Sequence, residues 1–292
     1  MTSPLTESTA EIRRSREIAV PAVMLATVAW STGPLLVRGM HVSGYTTAFY
    51  RMWVGALMMI VMAKLLGRPL TWPVFKRVML PGTFFGASMT MGFQAVHATS
   101  IANATLIGSL TPALLLLGVN RFVGERSDTK RVPFAILALS GLGVLVLSGS
   151  SKDGAAVSGD LWAMSNLLCF TAYFVILKRL RNDNVDGWSF LAGAFLMGAI
   201  VVTPVCLLVS DDMGGLVASD WWRIIAMGVG PGIVGHGLIT WASRHLPVTT
   251  TSLLTLGSPV LTCIGGWIVF DQRLVTGQIV GAAMVLGGLV WS

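Results

Sequence analysis

Residues 104–141, ATLIGSLTPALLLLGVNRFVGERSDTKRVPFAILALSG, align without a gap onto residues 251–288, TSLLTLGSPVLTCIGGWIVFDQRLVTGQIVGAAMVLGG, at a shift of 147. Leu106 meets Leu253, Thr111-Pro112 meets Ser258-Pro259, Arg126 meets Arg273 and Gly141 meets Gly288. Proline has no N–H and kinks a helix, so the matched Thr-Pro and Ser-Pro pairs correspond physically as well as in letters. Upstream, Trp30-Ser31-Thr32 with Val37-Arg38 resembles Phe170-Thr171-Ala172 with Leu177-Lys178 at a shift of 140. Duplication of one unit accounts for both matches.

The unit is built for lipid. Of 292 residues, 54% are apolar and only 11% charged, whereas soluble domains carry about 25% charged residues. Runs of about twenty apolar residues, enough for roughly 30 Å of hydrocarbon, follow one another along the chain. They are Ile18 to Val37, Tyr45 to Met62, Phe75 to Val96, Asn103 to Val119, Val132 to Leu147, Leu161 to Leu177, Trp188 to Val209, Trp221 to Ser243, Thr250 to Phe270 and Leu274 to Trp291. The connectors leave no room for a soluble domain. The polar stretch Met1 to Glu17 precedes a first run too long for a cleaved signal peptide, so that run is expected to stay.

Basic residues test this ten-span reading, because Lys and Arg accumulate in short cytoplasmic loops. With the N-terminus inside, the cytoplasmic set is Arg13, Arg14, Arg16, Lys64, Arg68, Lys76, Arg77, Arg121, Arg126, Lys130, Arg131, Lys178, Arg179, Arg181 and Arg244, against Arg38, Lys152, Arg223 and Arg273 outside. Fifteen against four supports ten spans with both termini cytoplasmic, and the membrane expected is the inner, or plasma, one. The net charge of +7 is thus spent on orientation and not on nucleic acid. Trp72, Trp162, Trp188, Trp221, Trp222 and Trp291 fall near span ends, as interfacial aromatic residues do. Cys169, Cys206 and Cys263 lie inside apolar runs with no C-x-x-C spacing and read as small packing residues.

Five spans is an odd number, so the second copy enters the membrane from the opposite side. The fold expected is therefore an all-α membrane protein of ten transmembrane helices in two inverted five-helix repeats, residues 18–149 and 159–292, after a cytoplasmic tail 1–17. Inverted repeats of this kind are the architecture of secondary transporters.

The chain also resembles a known family, the drug/metabolite transporter superfamily in its ten-helix EamA form. The resemblance runs from Pro21 to Trp291 and rests on Leu106 to Pro112 paired with Leu253 to Pro259, on Gly124-Glu125-Arg126 after the fourth span, and on Arg51 early in the second. Overall the chain is similar to YddG-type exporters of aromatic and other amino acids. The resemblance implies export of amino acids and related metabolites by alternating access. One departure is Gln272, which stands where the family usually has Glu, so the two matching loops are not equivalent.

No Gly-Lys dipeptide occurs, which excludes the ATP-binding phosphate loop. All 13 Asp and Glu fall in tails, connectors or span ends, whereas proton-coupled carriers commonly bury one. Facilitated flow is the expectation, with His97 and His236 as the alternative proton carriers. An unpaired guanidinium in hydrocarbon is costly, so Arg51 either faces the outer half of the cavity and attracts a carboxylate, or it snorkels outward or ties down helix ends. The glycines around Pro231 in Gly228 to Gly237 permit close packing, and Pro231 itself suggests a bend beside the cavity.

Candidate binding residues, chosen for polarity or aromaticity near mid-span, are Trp30, Thr32, Tyr50, Arg51, Ser88, Thr90, Gln94, Ser109, Asn166, Tyr173, His236, Thr240, Trp241 and Ser258, with Pro112, Pro231 and Pro259 as kinks. Ser and Thr in membrane helices often bond only their own backbone, so about half the hydroxyl candidates are expected to be structural. The methionines Met52, Met58, Met59, Met62, Met89 and Met91 could form a pliable wall, with plain packing as their default. No metal or cofactor is implied. An intramembrane enzyme would need a nucleophile and base, and no H-E-x-x-H or G-x-S-x-G occurs. A channel would need a filter or a ring of charge. The expected partners are a small-molecule substrate and the lipid bilayer, and a monomer suffices.

Overall fold

The computed structural model describes residues 9–116, 157–247, 250–251, 254–255, 257–272 and 274–290, with scattered residues between 133 and 144. Most of the fifth span, the Gly124-Glu125-Arg126 motif, Lys152, Arg273 and Trp291 lie outside the described residues. The described residues form helices and connectors and no strand. In chain order these are α1 (Thr9–Arg38), α2 (Gly44–Leu65), α3 (Trp72–Ala98), α4 (Ile101–Gly108), α5 (Thr111–Leu116), α6 (Val157–Asn182), α7 (Gly187–Val209), α8 (Ala218–Met227), a π-helical segment (Gly228–His236), α9 (Gly237–Ala242), α10 (Gly257–Phe270) and α11 (Thr276–Val290).

Among the described residues, five stretches are long and apolar enough to cross a membrane: Glu17–Arg38, Gly44–Leu65, Val157–Asn182, Gly187–Val209 and Ala218–Ala242. Although α3 is as long, it carries Thr83, Ser88, Thr90, Gln94 and His97. That polarity suits its place, packed against α2, α6 and α7. Outward-facing apolar side chains such as Leu57, Leu168, Leu208 and Ile268 are exposed by 62–86%. Continuous apolar surface of this kind is unfavourable in water, and in lipid it is the ordinary exterior.

Local chemistry sets the helix ends. The Ser43 hydroxyl accepts from Thr46 N at 3.3 Å and starts α2. Gly67, at φ +70°, ends it, since glycine enters the left-handed region without steric penalty. Asp186 caps α7 by accepting from the amides of Trp188 and Ser189, each at 3.0 Å.

The fourth and ninth spans are each broken where the sequence places its Thr-Pro and Ser-Pro. A turn at Ser109-Leu110 separates α4 from α5, and a turn at Thr255 precedes α10. A proline near the start of the second helical piece loses no hydrogen bond it could have made. Inside the span, it leaves the preceding turn without a donor. The eighth span takes another course: around Pro231 it widens into nine π-helical residues, Gly228–His236, an accommodation of strain typical of functional helices.

Packing repeats under exchange of the halves. The first span packs on the eighth and ninth as the sixth packs on the third and fourth. The basic residues matched by the 140-residue shift do equivalent work. At the end of α1, Arg38 donates to the carbonyls of Val96 and His97, at 2.7 and 3.3 Å, where α3 ends. At the end of the sixth span, Lys178 donates to the carbonyls of Ser243 and Leu246, at 2.7 and 2.9 Å, just after α9. Cations favour helix C-termini, where carbonyls are unsatisfied, so each half fastens its third helix to its first in the same way.

Candidate substrate cavity

Between the halves lies a cavity of about 220 Å³. Drug-sized ligands occupy pockets of about 300–1,000 Å³, so this space suits a smaller solute. Its wall takes Trp30 from α1, Arg51 from α2, Ser88, Gly92 and Phe93 from α3, Thr105 and Ser109 from the fourth span, Asn166, Phe170 and Phe174 from α6, Pro231 and His236 from the π-helical segment, and Thr255, Ser258 and Pro259 from the ninth span. Both broken helices and the π-helical segment therefore meet at one place. Interrupted helices at the midplane are where carriers bring backbone polar groups to a solute.

The wall is aromatic on one side. The Trp30 ring lies 5.9 Å from Phe170, edge to face, and 5.0 Å from His236. Its Nε1 donates to the Pro231 carbonyl at 3.2 Å, which ties α1 to the widened turn. Phe170 stacks on Phe174 at 6.1 Å. Arg51 is only 2% exposed. Its guanidinium carbon lies 5.2 Å from the Phe195 ring centre and 5.9 Å from that of Phe93, and its Nη1 approaches the Met52 sulfur at 3.9 Å. The same Phe195 ring lies 5.7 Å from His236. Among the described wall residues, Arg51 and His236 are the only ionisable side chains.

Of the residues proposed from sequence, Trp30, Arg51, Ser88, Ser109, Asn166, His236, Ser258, Pro231 and Pro259 line the cavity. The others lie elsewhere for identifiable reasons. The Thr32 and Thr90 hydroxyls donate to their own helices, to the carbonyls of Ala29 and Gly86 at 2.8 and 3.0 Å. The Tyr50 hydroxyl donates to the Met213 carbonyl at 2.9 Å and its ring meets Trp221, which puts it in the rim between α2 and α8. Tyr173 sits behind the wall among Phe85, Phe170 and Phe190. Thr240 is buried at the other rim, where its carbonyl accepts from Arg181. Trp241 faces outward beside His245. Gln94 is not part of the wall; its backbone abuts Gly44. Arg51 does not snorkel or tie down a helix end. The Pro112 ring lies outside the described residues.

Phe93, Phe170, Phe174, Gly92, Thr105 and Thr111 line the cavity without having been singled out. A signal existed: Asn166, Phe170 and Phe174 are spaced by four, as are Ser88, Gly92 and Val96, so each set shares one helix face.

The sequence was compared with known proteins. The model of the EamA-like transporter family matches the chain twice, at residues 17–147 and 157–292. The chain belongs to the EamA-like transporter family. The two matches together cover most of the chain, which is accordingly a membrane transporter. An uncharacterised transporter of Archaeoglobus fulgidus is 24% identical over 92% of this chain and 94% of its own length. The aromatic amino acid exporter YddG of Ancylobacter novellus is 26% identical over 66% of each chain. The pseudopaline exporter CntI of Pseudomonas aeruginosa is 22% identical over 82% of each. One solved crystal structure superposes with a TM-score of 0.67 at 24% identity, covering 94% of this chain and 96% of that one, which shows a shared fold.

In this EamA-like chain a polar network ties α3, α4, α6 and α11 together at one rim. Asp160 accepts from the Thr99 hydroxyl at 2.8 Å and from Asn103 Nδ2 at 3.1 Å, and Gln278 Nε2 donates to Asn103 Oδ1 at 2.9 Å. The departure at Gln272 is also used here: its side-chain oxygen accepts from Ile101 N at 3.2 Å at the start of α4, a task a neutral amide performs without a carboxylate. Beside it, Asp212 accepts from the hydroxyls of Ser43, Thr46 and Ser210 and from Ser43 N. Partial burial raises the pKa of this carboxyl, but the bonds from Thr46, Ser210 and Ser43 outweigh it and bring the value down to about 2. At the opposite rim the Ser189 hydroxyl donates to the Arg68 carbonyl at 2.7 Å, and Arg77 pairs with Asp183 at 3.0 Å.

Proposed function

We propose that this transporter exports amino acids, aromatic ones among them, and related small metabolites by alternating access of its two inverted halves. The observation that carries the reading is a cavity at the junction of both broken helices, walled by Trp30, Phe93, Phe170 and Phe174. Aromatic walls favour a ring-bearing solute through stacking and edge contacts. A relative bearing the name aromatic amino acid exporter agrees with this.

Alternating access fits halves that nearly interchange under a two-fold axis, since the two open states then differ little in energy. The rim holding Arg38 and Asp212 faces outward and the rim holding Lys178 faces the cytoplasm, in keeping with the surplus of basic residues. Labelling of introduced cysteines in cells tests this orientation: Lys152 and Arg181 must react from opposite sides. The repeats are residues 18–149 and 159–292, the membrane is the inner one with both termini cytoplasmic, and one copy supplies the wall.

Flow is facilitated, for the described wall holds no carboxylate. His236 in that wall supports a second reading, coupling to protons. Purified protein in liposomes tests both. Saturable counterflow of labelled phenylalanine or tryptophan is expected, with no accumulation under an imposed pH gradient. Accumulation driven by the gradient would favour the histidine reading, chemical conversion of the solute would reveal an enzyme, and unsaturable conductance a channel.

A further inference from the structure

We infer that Arg51 is a carboxylate anchor and that the transported class is solutes with a free carboxylate, cationic amines being refused. This deepens the proposed function and rests on the same cavity. Four cationic side chains are instructive together. Arg38 donates to carbonyls at the end of α3, Lys178 to carbonyls beyond α9, and Arg181 to the carbonyls of Thr240 and Val185. Each of these has oxygen acceptors supplied by the fold. Arg51, 2% exposed, has two ring faces and a sulfur at 3.9 Å.

A guanidinium presents five N–H donors in a planar fork. Ring faces stabilise its charge but accept little along the fork, and a thioether is a weak acceptor. Removing such a group from water without oxygen acceptors is strongly unfavourable. Among the described residues no oxygen acceptor meets the fork, and the side chain opens onto the cavity. A carboxylate fits the fork through two parallel bonds.

The rest of the wall agrees. With no acidic side chain among its described residues, it offers a lone ammonium ion no counter-charge, while Arg51 repels it. The ammonium group of an amino acid is tolerated because the carboxylate on the same molecule is paired. Hydroxyls of Ser109 and Ser258, the Asn166 amide and the Trp30 face can receive it.

The test uses full-length protein, in micelles and in liposomes, with three probes of one shape: phenylalanine, 3-phenylpropionate and phenethylamine. Phenylalanine and 3-phenylpropionate are expected to raise the thermal unfolding midpoint and to compete in counterflow, and phenethylamine to do neither. Arg51→Gln should weaken both carboxylates about ten- to a hundredfold, and Arg51→Lys, which keeps the charge and loses the fork, should fall between. If either variant fails to fold, the three probes on the unaltered protein still decide. Equal competition by phenethylamine, or no response to any carboxylate, overturns the anchor. If only aliphatic carboxylates such as lactate or alanine respond, the anchor stands and the aromatic reading falls. If all ring compounds respond alike, aromatic export stands and the anchor falls.

Discussion

Replacing Gly86 by alanine should be disproportionately costly, for a reason that can be worked from the contact between α3 and α7. A Cβ at Gly86 would lie 2.6 Å from the Cα of Gly198 and 2.8 Å from its carbonyl oxygen, against an optimal carbon contact of about 3.5–4.0 Å. The overlap is with backbone, so no rotamer change relieves it and the helices must part by about 1 Å. Overpacking costs about 1–3 kcal/mol, and alanine returns up to about 1 kcal/mol of helix propensity. A net loss of up to about 2 kcal/mol is expected. Gly198→Ala is the informative control: its Cβ would meet first the tip of Met52, at 2.4 Å, and the Gly86 Cα only at 3.2 Å. Methionine swings aside readily, so this variant should lie within about 1 kcal/mol of the parent, with the propensity gain offsetting the residual crowding. At Gly214 nothing lies within 4 Å, and alanine there should be neutral. Reversible chemical unfolding in micelles measures all three. The reasoning is refuted if Gly86→Ala is as stable as Gly214→Ala, or if Gly198→Ala is the worse of the two facing changes.

The Asp212 carboxyl, held at about 2 in the folded protein against 3.8, should contribute stability that is complete above pH 4 and lost as pH falls towards 2. At most about 2 kcal/mol is involved, reduced by solvent at this partly exposed position, and Asp212→Asn should flatten the acid limb of an unfolding titration. Trp30→Phe should cost about 1–3 kcal/mol by leaving the Pro231 carbonyl without its donor, and counterflow by this variant should slow more than that of Trp241→Phe, whose ring faces outward. Asn103→Leu should open the rim around Asp160, read as faster modification from the outside of a cysteine placed at Ser109, with no gain in modification from the cytoplasmic side.

Much of the architecture was legible because the bilayer leaves few solutions: uninterrupted apolar runs must be helices, and Pro112 with Pro259 marked where two of them break. The identity of the inward faces was not, since lipid and protein interior are equally apolar and hydrophobic periodicity vanishes. Thr90 and Ser88 sit two residues apart, looked alike and both bond their own helix, to the carbonyls of Gly86 and Phe85, yet only Ser88 reaches the cavity. Phe170 and Phe174 were passed over because aromatic residues in an apolar run are unremarkable by type, and only their spacing from Asn166 distinguishes them. The π-helical widening at Pro231 was foreseen as a bend alone, because its extent depends on contacts across the interface, such as the bond from Trp30 to the Pro231 carbonyl.

The paired fasteners, Arg38 at one end of α3 and Lys178 beyond α9, carry a consequence for how firmly each half holds together. One clasp is a planar guanidinium and the other a rotatable ammonium. Exchanging a single basic residue, Arg38→Lys or Lys178→Arg, is therefore expected to loosen or tighten one half and leave the other as it was.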